Sequence, residues 1–153
     1  MAENRGSDEQ QLPHSIEAEQ AVLGGLMLTN GSFDTVASVV SEADFFAQDH
    51  QLIFQTMRTL SSESKPLDVI TLSETLQNTN ELDQVGGAAY LVELANNTPS
   101  SANIGAYAQI VLERSIIRQL ITAASDIVKK GYNPLGWDSS KLLAEAEQKL
   151  SDI

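Results

Sequence analysis

Apolar residues recur at helical spacing along almost the whole of the chain, and short polar stretches interrupt them. In the first such segment, Val22, Leu23, Leu26 and Met27 fall on one stripe of a helix. There is no run of alternating polar and apolar residues long enough to predict a β-strand. The prolines stand beside polar or small residues and outside the periodic segments, so they separate the elements without breaking them. The sequence therefore predicts an all-α protein.

Five helices are predicted in the first two thirds of the chain. Ser15 and Asp68 are expected to cap the first and the fourth, because their side-chain oxygens can accept hydrogen bonds from amides at a helix start. The Gly24–Gly25 pair weakens the first helix by about 1 kcal/mol per glycine relative to Ala, so it predicts close approach of another backbone. Phe45 and Phe46 are expected in the core, just before the third helix. The predicted helices cover about residues 15–30, 32–40, 52–60, 69–77 and 86–95.

The last third of the chain predicts a helical hairpin over residues 103–153, after a compact head over residues 14–102. One helix runs to about Lys130, the turn GYNPLGW follows, and a second helix runs from about Asp138 to the end. The apolar stripe of the first helix spans about 140° and that of the second about 100°, so the second cannot cover the first. We therefore expect the hairpin to dimerise. The candidate dimerisation residues are Ile116, Ile117, Leu120, Ala124, Val128, Leu143 and Leu150.

Composition and charge limit the possible partners. The chain has 153 residues, of which 42% are apolar, and this is typical of a single folded domain. Its formal net charge of -12 disfavours direct binding of nucleic acid. The absence of cysteine fits a cytoplasmic protein, and no apolar run is long enough to span a bilayer. Residues 1–13 are expected to form a disordered tail. At the other end, the last apolar stripe reaches Ile153 without a Gly or Pro that would end the helix, as in a chain cut from a longer one.

The sequence contains no pattern typical of a catalytic or cofactor site. No GxxxxGK[ST] motif occurs, so no phosphate-binding loop for ATP is predicted. His14 and His50 lie on separate segments and lack carboxylates at the i, i+4 spacing of a helical metal site. No GxSxG motif occurs either. We therefore expect no catalytic residue, cofactor or metal in these residues, and the carboxylates are interpreted as solvated surface.

Three ordered stretches resemble the DnaB family of bacterial replicative DNA helicases. They are PHSIEAEQAVLGGLM from Pro13, DFFAQDHQLIF from Asp44, and LDQVGGAAYLVELANNTPSSANIGAYAQIV from Leu82. The resemblance implies a non-catalytic N-terminal domain, with a globular head and a dimerising hairpin. In the whole helicase such domains form a collar above a hexameric ring of RecA-like motors. By the same resemblance, ATP and Mg²⁺ belong to the motor domain.

The resemblance also implies partners. In this family the N-terminal domain supports hexamer assembly, receives a DnaG-type primase, and is a candidate contact for a helicase loader. Tyr90, Ile121 and Ile127 match family positions associated with primase contact, although simple packing would also explain all three. The alternative hypotheses are a free-standing helical adaptor that binds the same replication partners and, with less support, an enzyme whose polar cleft the sequence does not reveal.

Overall fold

The computed structural model describes residues 11–153, which form helices and no strand, so the all-α prediction is confirmed. Three short 3₁₀ helices, Asn30–Ser32, Glu42–Asp44 and Leu82–Val85, lie between the α-helices. In chain order, the α-helices of these residues are α1 (Ile16–Leu28), α2 (Phe33–Ala37), α3 (Gln48–Ser62), α4 (Val69–Asn78), α5 (Gly87–Asn97), α6 (Ile104–Tyr132) and α7 (Ser139–Ser151).

Side-chain caps set the start of three of these helices. Ser15 Oγ accepts from the Ala18 amide at 3.2 Å and begins α1. The Asp68 carboxylate accepts from the Thr71 amide at 2.8 Å and begins α4, while Asp138 begins α7 in the same way. Each cap satisfies an amide that has no partner within its own helix. The predicted caps at Ser15 and Asp68 are therefore confirmed.

Two local predictions were wrong. The second helix ends at Ala37 and not at Val40. At its end the Ser38 hydroxyl donates to the Thr35 carbonyl at 2.6 Å, a local bond that competes with further helix. Phe46 is not a core residue, because 38% of it is exposed and its ring stacks on His14 with a centroid distance of 4.1 Å. Its neighbour Phe45 is buried as expected.

The core of the head is built on aromatic contacts between helices. The Phe54 ring lies 5.3 Å from that of Phe33 and 5.0 Å from that of Phe45, distances typical of favourable aromatic pairs. Around them pack buried aliphatic side chains, most of them from α1, α3, α4 and α5, together with Leu67 from the segment before α4. The largest of these aliphatic side chains are Leu23, Leu26, Ile53, Met57, Leu60, Leu67, Leu72, Leu76 and Leu91.

Gly24 allows α1 to approach the end of α5 closely. A Cβ at this position would overlap the Leu94 carbonyl and the Thr98 hydroxyl. That hydroxyl itself donates to the Leu94 carbonyl at 3.0 Å, so neither atom can move away freely. The close backbone approach predicted from the Gly24–Gly25 pair is therefore confirmed.

The chain divides into two compact units, which are described separately. The head unit is His14–Glu113, and the hairpin unit is Arg114–Ile153 with residues 11–13. The head thus extends beyond the expected limit at residue 102, because buried Ile104, Ala108 and Val111 of α6 belong to its core. Residues 1–10 of the expected disordered tail lie outside the described residues. Within the hairpin unit, the Pro13 carbonyl accepts a hydrogen bond from Arg118 Nη1 at 2.8 Å.

Polar contacts join the two helices of the hairpin unit. Lys130 Nζ lies 2.7 Å from Glu145 Oε1, which also lies 3.7 Å from Lys149 Nζ. Lys130 and Lys141 place their ammonium groups 3.9 and 4.2 Å from the centroid of the Trp137 ring, where cation–π attraction operates. The predicted hairpin is therefore present. Within residues 11–153, no helix combines the length and apolarity needed to cross a membrane.

Candidate partner-binding site

Tyr90 lies in the first turn of α5, and the glycines before it determine how that helix begins. Gly86 and Gly87 have φ values of 88° and 73°, a left-handed conformation that side chains other than glycine rarely adopt. A Cβ on Gly86 would also lie 3.0 Å from Tyr90 Cβ. The GG pair therefore provides both the turn into α5 and the space for the tyrosine ring.

The hydroxyl of Tyr90 ends a chain of polar contacts between three helices. It lies 2.6 Å from His50 Nε2 on α3, and His50 Nδ1 lies 2.8 Å from Glu19 Oε1 on α1. Gln20 Nε2 donates to the same hydroxyl at 3.1 Å. Glu19 and His50 are each only 1% exposed, whereas Tyr90 is half-buried. Two buried polar side chains thus support one tyrosine that reaches the surface.

Glu19 also stabilises the start of α3. Its Oε2 accepts from the Phe46 amide at 2.8 Å, and its Oε1 accepts from the Ala47 amide at 3.3 Å. Ala47 is the N-cap of α3 and makes no side-chain cap of its own, so a carboxylate from α1 takes that role. Negative charge at a helix N-terminus is favourable because unpaired amides and the helix dipole converge there.

Burial raises the pKa of Tyr90 above its ordinary value, because the tyrosinate loses solvation. The Gln20 amide opposes this effect, and the carboxylates of Asp49, Glu93 and Glu19 add to it. The phenol is therefore neutral at physiological pH and stands in a negatively charged environment. Such a group can accept or donate a hydrogen bond.

The hairpin candidates belong to the other unit. Ile121 is 39% exposed, and Ile127 is half-buried beside a cavity of about 140 Å³ that Leu142 and Ala146 also line. Among the dimerisation candidates, Ile117 is half-buried and the others are exposed. The exposed fractions are 40% for Ile116, 48% for Leu120, 56% for Val128, 64% for Leu143 and 46% for Leu150, and Ala124 is also exposed.

Sequence analysis missed Glu19, Gln20 and His50. The distribution of carboxylates predicts a solvated surface position for Glu19, and the spacing of the histidines gives His50 no support as a metal ligand. A signal was present, however, because three, four and seven residues after Glu19 come Val22, Leu23 and Leu26. His50 stands in the same relation to Ile53, Phe54 and Met57, so both polar residues lie within apolar stripes. A polar residue in such a stripe needs a buried partner, and here each is the partner of the other.

No group of three or more metal-ligating side chains occurs within residues 11–153. The arrangement around Tyr90 is thus a hydrogen-bonded cluster of Glu, His, Gln and Tyr under a surface tyrosine. Together with exposed apolar side chains on a helical hairpin, it defines a helical module with two candidate contact surfaces.

Comparison with known families identifies this module. Residues 11–113 match the family model described as the DnaB-like helicase N terminal domain. The match covers more than half of the chain, and the chain therefore belongs to this family.

Curated relatives agree with this assignment. The chain is 49% identical over 143 residues to the replicative DNA helicase DnaB of Buchnera aphidicola subsp. Baizongia pistaciae, covering 94% of the chain and 31% of that protein. It is 48% identical over 141 residues to DnaB of Haemophilus influenzae, covering 92% of the chain and 30% of the relative. The 153 residues thus span about three tenths of the length of these helicases.

Solved structures show the same fold. The N-terminal domain of DnaB helicase from Mycobacterium tuberculosis superposes with a TM-score of 0.89 at 32% identity, covering 94% of this chain and 100% of that one. The N-terminal domain of DnaB helicase from Helicobacter pylori, described together with its interactions with primase, gives a TM-score of 0.64 at 25% identity. That match covers 76% of this chain and 90% of the other. The predicted fold and family are confirmed.

Proposed function

We propose that this domain serves as the non-catalytic collar of a hexameric replicative DNA helicase in the cytoplasm, where it assembles subunits through its hairpin and recruits a DnaG-type primase. The exposed apolar surface of the hairpin unit carries this proposal. Leu120 and Val128 each expose about half of their area and lie on one face of α6, at four-residue spacing with exposed Ile116 and Ala124. Leu143 of α7 is 64% exposed. An extended apolar patch on a soluble domain is typical of an interface. ATP and Mg²⁺ would act in the motor domain of the whole helicase.

The hairpin surface is tested by the association of the full chain. Leu143→Ser removes one exposed apolar side chain from each subunit, so a symmetric dimer loses two. At about 1 kcal/mol for each partly buried leucine, the dimer dissociation constant should rise roughly 30-fold. Sedimentation equilibrium measures this change. Ile70→Ser is the matched control, because Ile70 is 77% exposed but lies on α4 of the head. Equal effects of the two substitutions would contradict the hairpin interface.

Primase recruitment is supported by the description of the Helicobacter pylori domain with its interactions with primase. In this chain, the proposed contact residues are Tyr90 on the head and Ile121 and Ile127 on the hairpin. Tyr90→Ala should weaken binding of the cognate DnaG-type primase by roughly 2 kcal/mol if the ring is a buried anchor of the interface. Calorimetric titration with thermal melts of each variant measures binding and folding separately. Unchanged affinity in a folded Tyr90→Ala variant would exclude Tyr90 from the contact.

A helicase loader is a second proposed partner, by the resemblance to the family alone. A free-standing adaptor that binds the same proteins remains the alternative to a helicase domain. The coding sequence around these 153 residues distinguishes the two, because a helicase requires a Walker A motif downstream. A continuous reading frame with that motif supports the helicase, and a stop codon after residue 153 supports the adaptor.

A further inference from the structure

The contacts around Tyr90 determine which of its hydrogen bonds point inward. The Glu19 carboxylate accepts from the Phe46 and Ala47 amides. Since a carboxylate has no proton to give, His50 Nδ1 at 2.8 Å must donate to it. Glu19 thereby selects the His50 tautomer that carries its proton on Nδ1.

A neutral imidazole with its proton on Nδ1 has an acceptor at Nε2. In this neutral form of His50, the Tyr90 hydroxyl, at 2.6 Å, donates its only proton to Nε2. The Gln20 amide in turn donates to the Tyr90 oxygen at 3.1 Å. We call the contacts among Glu19, His50, Tyr90 and Gln20 the relay. Each donor in the relay meets an acceptor, so one assignment of the protons satisfies all of these contacts.

The relay has a consequence for any partner of Tyr90. The hydroxyl proton is engaged with buried His50, and one of the two acceptor positions on the oxygen is taken by Gln20. The Tyr90 oxygen can therefore accept one further hydrogen bond, from a partner. Asp49 and the exposed Glu93 add negative charge close to the ring, which favours a cationic donor over a neutral one.

We propose that Glu19, His50 and Gln20 are positioning residues that hold the Tyr90 hydroxyl as a hydrogen-bond acceptor for a Lys or Arg side chain of the partner. This proposal rests on the proposed recruitment of primase through Tyr90. It adds the chemistry of the partner group, and it gives the buried His50 a role beyond its contact with Glu19. His50 acts through Tyr90 and does not itself contact the partner.

The tautomer can be measured without any partner. In the full chain labelled with ¹⁵N-histidine, long-range ¹H–¹⁵N correlation spectra distinguish a proton on Nδ1 from one on Nε2. The chain has two histidines, so His14→Gln assigns the signals. We expect His50 to carry its proton on Nδ1 at neutral pH. A proton on Nε2 alone, or a doubly protonated ring at that pH, would overturn the relay.

Coupling between His50 and Tyr90 is tested by calorimetric titration with the cognate DnaG-type primase. Asn places its amide near the position of Nδ1, so His50→Asn keeps a donor for Glu19 and loses the contact with Tyr90. Tyr90→Phe and His50→Asn should each weaken binding about tenfold, as expected for one lost hydrogen bond. The double variant should bind no more weakly than either single variant. Tyr107→Phe, a half-buried tyrosine of the head outside the relay, is the matched control and should bind like the wild type.

The outcomes separate this proposal from the one on which it rests. Wild-type affinity in a folded His50→Asn variant, together with weak binding by Tyr90→Phe, would overturn the positioning role and leave primase recruitment intact. Additive losses in the double variant would overturn it too. If the wild-type chain bound no primase, recruitment itself would fail, and the histidine spectra would still decide whether the relay exists. Should His50→Asn fail to fold, the spectra of the wild-type chain decide.

Discussion

The first turns of α6 belong to the core of the head, so the head should need residues 104–113 to fold. Ile104, Ala108 and Val111 are 8%, 0% and 2% exposed. At about 1.5–3 kcal/mol for each of the two larger side chains and about 0.8 kcal/mol for the alanine methyl group, their burial contributes about 4–7 kcal/mol. A domain of this size has a total free energy of unfolding of about 5–15 kcal/mol. Losing these three side chains therefore removes a large part of the stability of the head.

Two truncated chains test this reasoning. Residues 1–113 keep the whole head unit, whereas residues 1–102 end at the boundary predicted from the sequence. Urea unfolding followed by circular dichroism should show a cooperative transition for the longer chain and a much lower midpoint, or no transition, for the shorter one. Light scattering should show that residues 1–113 are monomeric, because the hairpin is absent. Equal unfolding midpoints would refute the energetic argument, and a dimer as strong as that of the full chain would refute the hairpin interface.

Three further predictions concern the head and the charge of the chain. Gly24→Ala should destabilise the head by roughly 1–3 kcal/mol in urea unfolding, because the new methyl group overlaps the Leu94 carbonyl. Gly105 is exposed in α6 and has no neighbour near its Cβ position, so the control Gly105→Ala should be neutral or stabilising. Equal effects of the two substitutions would contradict the close approach of α1 and α5. Hydrogen bonds from Thr71 lower the pKa of Asp68, so its contribution to stability is present above the unfolded-state pKa and is lost as pH falls through the folded-state pKa. Asp68→Asn keeps a capping oxygen but should lose this acid dependence in melts below about pH 5, and an unchanged pH profile would count against the cap. Fluorescence titration with single-stranded DNA at physiological salt should show no micromolar binding, because the net charge is -12, and tight binding would refute that inference.

Local residue chemistry was sufficient to predict the helices and several of their ends, although not the end of α2 at Ala37. Apolar spacing predicted helices, Ser15 and Asp68 predicted two of the helix starts, and the Gly24–Gly25 pair predicted a close backbone approach. Each of these depends on residues within one or two helical turns. The resemblance to a known family then supplied the candidate contacts at Tyr90, Ile121 and Ile127, which the pattern of residues alone did not single out.

The tertiary structure decided what depends on residues distant in the chain. Glu19 and His50 are separated by 31 positions, and His50 and Tyr90 by 40, so only the packing of α1, α3 and α5 brings their atoms together. The end of the head also depends on tertiary packing. The sequence pattern of α6 is that of one continuous helix, and its first turns belong to the head only because of the residues they pack against. Helical periodicity reports which face of a helix is buried, but it does not report which partner buries it.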